Sequence, residues 1–298
     1  MAGKIDVVYS PEYLRHVSGG WHPEAPNRLK AIWDEIGRRG LGKKINIVEP
    51  EPVDDDYLLR VHTKEMVDLV RSRSRAEEMI DADTVPCAAT FEVAKLAVGG
   101  LVKAVERIKR GSRHVFCLVR PPGHHATRTT PMGFCYFNNI AFGVRAFGGR
   151  KAIFDIDIHH GNGTQDIFYS EPVLYTSIHE YPFYPGSGSV SETGQGAGKG
   201  YTFNLPMPAG TEDDAFLEAV DKAVERIDRE KPEILFVSAG FDGHKDDPIG
   251  GFGLTTDCFV ETFRRIKKYP LVIALEGGYS SKALGECVCG IIEELAKG

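Results

Sequence analysis

The chain has 298 residues, enough for one large α/β domain or two small ones. Hydrophobic residues make up 42%, so a full core is possible and bulk disorder is excluded. Lys and Arg total 36 against 42 Asp and Glu; the formal charge of −6, with no basic block, argues against nucleic-acid binding by counterion release and favours cationic ligands.

The start, MAGKIDVVYS, runs into a strand-like segment with no apolar leader. No apolar run reaches the roughly 18 residues of a membrane span, so a cytoplasmic protein with no membrane partner is expected. Short apolar runs bounded by turn residues predict strands at Ile5–Tyr9, Val115–Val119, Ala152–Ile158, Val173–Ile178, Ile234–Ser238 and Leu271–Leu275. Helical stripes lie between them. Leu29, Ile32, Trp33 and Ile36 form the first; Phe91, Ala94, Val98, Leu101, Val102, Val105 and Ile108, closed by Gly111, form the second. Thr211 and Asp214 read as a capping box before Phe216, Val220, Val224 and Ile227. Gly186 to Gly200 reads as a surface loop. Strand–helix alternation with nearly continuous apolar strands predicts an α/β fold: one domain over 1–298, a parallel sheet with helices on both faces. The six cysteines include no CxxC pair and read as buried reduced thiols.

Four predicted strands end in polar clusters: RPPGHHA with His124 and His125, FDIDIHHGNG with Asp155, Asp157 and His159, SAGFDGH with Asp242, and LEGGY with Glu276 and Tyr279. Ligands of parallel sheets bind beyond the strands' carboxyl ends. Alternation along a strand puts Asp155, Asp157 and His159 on one face, where burial demands partners or a metal. Helix capping by the two acids is the structural alternative. With Asp242 added, Asp157 and His159 give two carboxylates and one imidazole, a set that suits zinc, Fe(II) or Co(II). Two adjacent histidines on a Pro-Pro turn can take a proton from water and give one to a leaving group. Asp155 is placed to orient one ring and Asn162 the other. Tyr279, behind Gly277 and Gly278, can donate to a developing oxyanion. Aromatics in GFCYF and YPFYP can wall a narrow apolar slot.

The segments RPPGHHA, GFCYFNN, DIDIHHGNGTQDIFY, SIHEYPFYPGSG, SAGFDGHKDDPIGG and LEGGY closely resemble the histone deacetylase family. The match is best to its class II branch and the related acetylpolyamine amidohydrolases, and runs from about Ile5 to about Ile292. The resemblance implies the arginase-deacetylase fold, with a sheet of about eight strands. It implies zinc on Asp157, His159 and Asp242. It implies His125 as the main general base and acid, His124 with Asp155 as its electrostatic partner, and Tyr279 as the residue that polarises the acetyl carbonyl. Gly133, Phe134 and Tyr184 would line an acyl-lysine tunnel, and Asp83 would orient substrate amides. A structural monovalent cation, K+ or Na+, would lie among Asp155, Asp157, His159, Ser177 and Ile178.

Departures refine the expectation. Asn162 replaces the Asp of class I enzymes, and an amide makes its paired histidine less basic. Tyr184 stands where Phe is common. Tyr279 is present rather than the His of class IIa, and Ile249 replaces the acidic gatekeeper of the polyamine-selective class IIb enzyme. The expected reaction is hydrolysis of an acetylated lysine in a peptide or protein, or of an acetylpolyamine, to acetate and free amine. A binuclear manganese ureohydrolase and a non-catalytic acyl-amine binder are the alternatives. The first would hold two metals per chain; the second would lack a ligand, the His pair or the Tyr. The sequence leaves the substrate and the oligomeric state open.

Overall fold

The computed structural model describes residues 3–297; Met1, Ala2 and Gly298 of the expected 1–298 domain lie outside the described residues. Eight strands build one sheet: β1 Ile5–Val8, β2 Ile45–Val48, β3 His114–Cys117, β4 Lys151–Asp155, β5 Leu174–Glu180, β6 Thr202–Met207, β7 Ile234–Ala239 and β8 Leu271–Leu275. All pairings are parallel, in the order β2-β1-β3-β8-β7-β4-β5-β6. Every residue of β1, β3, β5, β7 and β8 is buried. Burial without alternation requires cover on both faces.

Nine helices supply it among the described residues: α1 Asn27–Arg38, α2 Asp55–Leu58, α3 Lys64–Ala76, α4 Thr90–Lys109, α5 Asn139–Ala146, α6 Asn162–Phe168, α7 Asp213–Glu230, α8 Thr256–Ile266 and α9 Ser281–Leu295. Helices α1, α9, α8 and α7 pack in series as one layer; α3, α4, α5 and α6 pack in series as the other. Helix α4 ends where Gly111 adopts φ 102° and Ser112 N–H reaches back to Arg107 O, a left-handed close that glycine accepts without strain. Among the described residues, no helix is long and apolar enough to cross a membrane.

Four expectations need correction. Strands β2 and β6 are missing from the predicted set because they are the sheet edges. Asn46 and Ile47 face solvent and Pro206 sits in β6, so neither strand shows a continuous apolar run. Strand β4 stops at Asp155 rather than Ile158. Asp157 N–H donates to Asp155 Oδ1 at 3.2 Å and His159 N–H to Asp157 Oδ1 at 2.9 Å, so side-chain acceptors replace the ladder there. Thr211 and Asp214 do not cap α7. The Thr211 hydroxyl donates to Pro208 O, and Glu212 at the N-cap makes no side-chain cap bond. Finally, all six thiols are free as expected, but Cys87 is only partly buried.

Candidate active site

Strands β3, β8, β7 and β4 are consecutive in the sheet, so the four polar clusters meet at one edge. At the centre, His159 Nδ1 lies 3.0 Å from Asp157 Oδ1 and 3.1 Å from Asp242 Oδ2. One donor atom from each residue lies within 4.8 Å of the other two, and all three side chains are buried. Backbone donors fix the carboxylates. Gly277 N–H donates to Asp157 Oδ2 at 2.8 Å, and Ile158 N–H to Asp242 Oδ1 at 3.2 Å. Glycine is required around them: a Cβ on Gly240 would fall 2.0 Å from Asp157 Oδ2, and one on Gly277 2.1 Å from Asp242 Oδ2.

These charges do not balance alone. Burial and the Asp157 charge raise the Asp242 carboxyl, while burial opposes the charged His159 and its hydrogen bonds to Asp157 and Asp242 carry it up to about 10. Two buried carboxyl groups with donor atoms this close repel each other, and burying both ionised costs several kcal/mol unless a cation offsets them. The donor set, and the cradle that only glycine permits, therefore fit a divalent cation. Pleat alternation, expected to align Asp155, Asp157 and His159, is not the cause of their convergence. The turns after Asp155 achieve it.

The histidine pair sits beside this centre with ring centroids 4.0 Å apart. His124 Nδ1 is 3.2 Å from Asp155 Oδ2, and His125 Nδ1 is 2.8 Å from Asn162 Oδ1. Their protonation diverges. Burial opposes the charged His124, yet the Asp157 and Asp155 charges carry it up to about 10. Burial, then the His124 and His159 charges, push His125 well below the usual range. A neutral His125 that donates Nδ1–H to Asn162 leaves Nε2 free to accept a proton. The supporting carboxyl is Glu276, which accepts Gly123 N–H at 2.7 Å and His124 N–H at 3.2 Å; burial raises it to about 7. Together with His124 and Cys135, Glu276 forms a second group of close donor atoms. Burial pushes the Cys135 thiol far up and His124 Nδ1 is engaged by Asp155, so the first group is the better metal site.

The Tyr279 turn is anchored from two sides. Arg28 of α1 donates Nε–H to Gly278 O at 2.7 Å and Nη2–H to Glu276 O at 2.5 Å, and its guanidinium lies 5.1 Å from the Tyr279 ring centre. Asp247 Oδ2 accepts Tyr279 N–H at 2.6 Å and Ser280 N–H at 3.0 Å. Behind Arg28, the buried Glu24 carboxylate pairs with Arg28, Arg120 and His16. Arg28, Glu24, Arg120 and Asp247 were absent from the sequence-based site. A Glu and an Arg four apart in HPEAPNR are the one local signal for this network, because the other partner, Arg120, is 96 residues away from Glu24.

A cavity of about 510 Å³ opens over this floor, lined by His124, His125, His159, Phe134, Tyr184 and Tyr279 among others. Gly133 and Phe134 both take positive φ, 56° and 68°, between the paired Met132 and Cys135. That is a type I′ turn, and it projects the Phe134 ring into the cavity. The left-handed Phe134 costs about 1 kcal/mol or more. Gly133 is obligatory, since a Cβ there would meet His125 Cδ2 at 2.6 Å. The Tyr184 ring stands edge-on to His125 at 5.2 Å, and Phe183 stacks on His159 at 5.1 Å. Asp83 lies at the exposed rim with Ile249. Of the residues expected around a monovalent cation, Asp155 ends β4 and registers with Ser177 in the middle of β5, Ile178 follows, and Asp157 and His159 lie in the turns after β4; the Ser177 hydroxyl is 2.8 Å from His179 Nδ1.

Comparison with known proteins gives the same picture from three sides. A model of the histone deacetylase domain matches residues 22–295. A probable deacetylase of Archaeoglobus fulgidus is 38% identical over 307 residues, covering 97% of this chain and 86% of that protein. Histone deacetylase 5 of Arabidopsis thaliana is 33% identical over 325 residues, covering 98% of this chain and 49% of that protein. The crystal structure of the HDA15 HD domain superposes with a TM-score of 0.95 at 30% identity, over 99% of this chain and 89% of that one.

Proposed function

The chain belongs to the histone deacetylase family, and from that premise we propose that it is a zinc-dependent amidohydrolase that releases acetate from an acetylated primary amine. The substrate is an acetyl-lysine side chain or an acetylpolyamine. The observation that carries this reading is the meeting of Asp157, His159 and Asp242 beside a histidine pair whose two rings hold protons on opposite terms.

Asp157, His159 and Asp242 would hold the zinc, which when bound supplies Lewis acidity toward a carbonyl oxygen and toward water. The protein's residues perform the rest. Phe134, Tyr184 and the bare Gly133 backbone hold the alkyl chain in line, and Asp83 at the rim orients the substrate's amides. The neutral His125 takes the proton of the attacking water on Nε2, with its ring fixed by Asn162. The Tyr279 hydroxyl donates to the acetyl oxygen as it becomes an oxyanion. His124, held charged by Asp157 and Asp155, offsets the negative charge that builds up. His125 then delivers its proton to the departing nitrogen, and the C–N bond breaks. One water and one amide become acetate and an amine.

Acetate release by the zinc-loaded protein, from an acetyl-lysine peptide and from an N-acetylated diamine side by side, tests this reading. Asp242→Ala is the blank. Release from either substrate above the blank is the expected result, and the preferred one names the substrate class. No release from either, with zinc bound, contradicts it.

A further inference from the structure

Trp21 is the largest side chain on the surface that the reaction leaves without a task. Its indole is fully exposed, yet it lines the same cavity as His124, Phe134 and Tyr184, so it stands at the mouth. Gly19, at φ 89°, and Gly20 precede it, and a Cβ on either would meet nothing within 4 Å. The next residue is anchored. His22 Nδ1 accepts Glu24 N–H at 3.1 Å, His22 Nε2–H donates to the Asp83 carbonyl at 2.9 Å, and the ring stands edge-on to Phe134 at 4.6 Å. The bond to Asp83 O brings the two rim segments together.

Asp83, placed above to orient the substrate's amides, also carries a charge that no protein group offsets among the described residues. Asp81 Oδ1 accepts the N–H groups of Asp83 and Thr84, so Asp81 shapes the turn. The Asp83 carboxylate makes no hydrogen bond or ion pair among the described residues, and it is exposed. An open indole face and an unpaired carboxylate that line one cavity mouth, on a chain of net charge −6, have the chemistry that attracts a cation.

We propose that Trp21, with Asp83, receives a cationic group that the substrate carries beyond its acylated amine, and that Trp21 thereby sets the preference among substrates. This rests on the deacetylase reading above. The ligand chemistry is an ammonium or guanidinium. It comes from a Lys or Arg flanking acetyl-lysine in a peptide, or from the second amine of a monoacetylated diamine.

Two matched pairs separate these sources. An acetyl-lysine peptide with a neighbouring Arg is compared with the same peptide carrying citrulline, and monoacetylated hexanediamine with acetylated hexylamine. In the zinc-loaded wild type, kcat/KM favours the cationic member of one pair by about three- to fivefold, the range of a cation–π contact at an exposed site. The pair that responds names the source. In Trp21→Ala the ratio falls to about one through KM, and Trp21→Phe retains part of it. A ratio unchanged in Trp21→Ala overturns the proposal. Fluorescence gives a second readout without turnover. The chain has two tryptophans, and the other, Trp33 on α1, packs against Tyr9 at 4.7 Å. An emission change on adding the cationic member alone, present in wild type and lost in Trp21→Phe, supports the assignment; its absence overturns it. Protein that releases acetate from none of the four compounds contradicts the deacetylase reading, and the emission titration then decides the role of Trp21 by itself.

Discussion

At the floor of the cavity, Asp157, Asp242 and His124 expose at most 3% of their surface, whereas at its mouth Tyr184 exposes 39% and Trp21 is fully open. The floor is also tied down. Asp157 and Asp242 each accept a backbone N–H, and both histidine rings of the pair have a fixed partner on Nδ1. At the mouth, the Asp83 carboxylate and the Trp21 indole have no such ties among the described residues. Charges that must stabilise a transition state act best when fixed before the substrate arrives. Groups that choose among substrates can stay free until one binds.

The sharpest break comes at the floor. Asp242→Ala is expected to lose bound metal and acetate release together, by at least 100-fold (about 3 kcal/mol). Metal content by elemental analysis, set against turnover, checks that the two fall as one. Next comes the support beneath the floor. Glu24→Ala strands the buried Arg28 and Arg120, and is expected to cost about 3–5 kcal/mol of stability in chemical denaturation. A cost below about 1 kcal/mol would mean that the network does not hold the Tyr279 turn. Tyr279→Phe keeps the ring and the metal but removes one oxyanion donor. Turnover should drop about 100-fold at unchanged zinc content, and near-normal turnover would sink its role.

A more gradual effect is expected in acid, away from the floor. His62 is buried and uses both ring nitrogens: Nδ1–H donates to Thr127 O at 2.9 Å and Nε2 accepts Asn138 N–H at 3.0 Å. Burial lowers its pKa to about 4. The unfolded chain, near 6.5, therefore takes up the proton first as pH falls. Stability should decline from about pH 6.5 to about pH 4, by up to about 3 kcal/mol, and level off below that for this group. His62→Gln should flatten that slope in denaturant titrations at stepped pH. An equal slope in the variant would assign the acid sensitivity elsewhere.

What the sequence disclosed follows the same division. Asp157, His159, Asp242 and the histidine pair stand out because charged groups at the ends of apolar runs have few explanations. Their chain-local nature made them legible, although the turns after Asp155, rather than a longer strand, bring them together. The central strands were legible for a related reason, since burial on both faces leaves an unbroken apolar run. Strands β2 and β6, half exposed at the edges, leave none. The Glu24, Arg28 and Arg120 network was out of reach because its members pair across distant segments. Asp247 was equally hidden, since what it holds is the backbone N–H of Tyr279 and Ser280, 32 and 33 residues on. The strained Phe134 is invisible in composition and declares itself only through its positive φ.

A zinc titration of the metal-free protein, followed by acetate release from the preferred substrate, tests the claim for the floor most directly. Activity should rise in proportion to added zinc and level off at one equivalent per chain, with no rise in Asp242→Ala. A plateau at two equivalents, or zinc bound at Asp157, His159 and Asp242 without any acetate released, would contradict it.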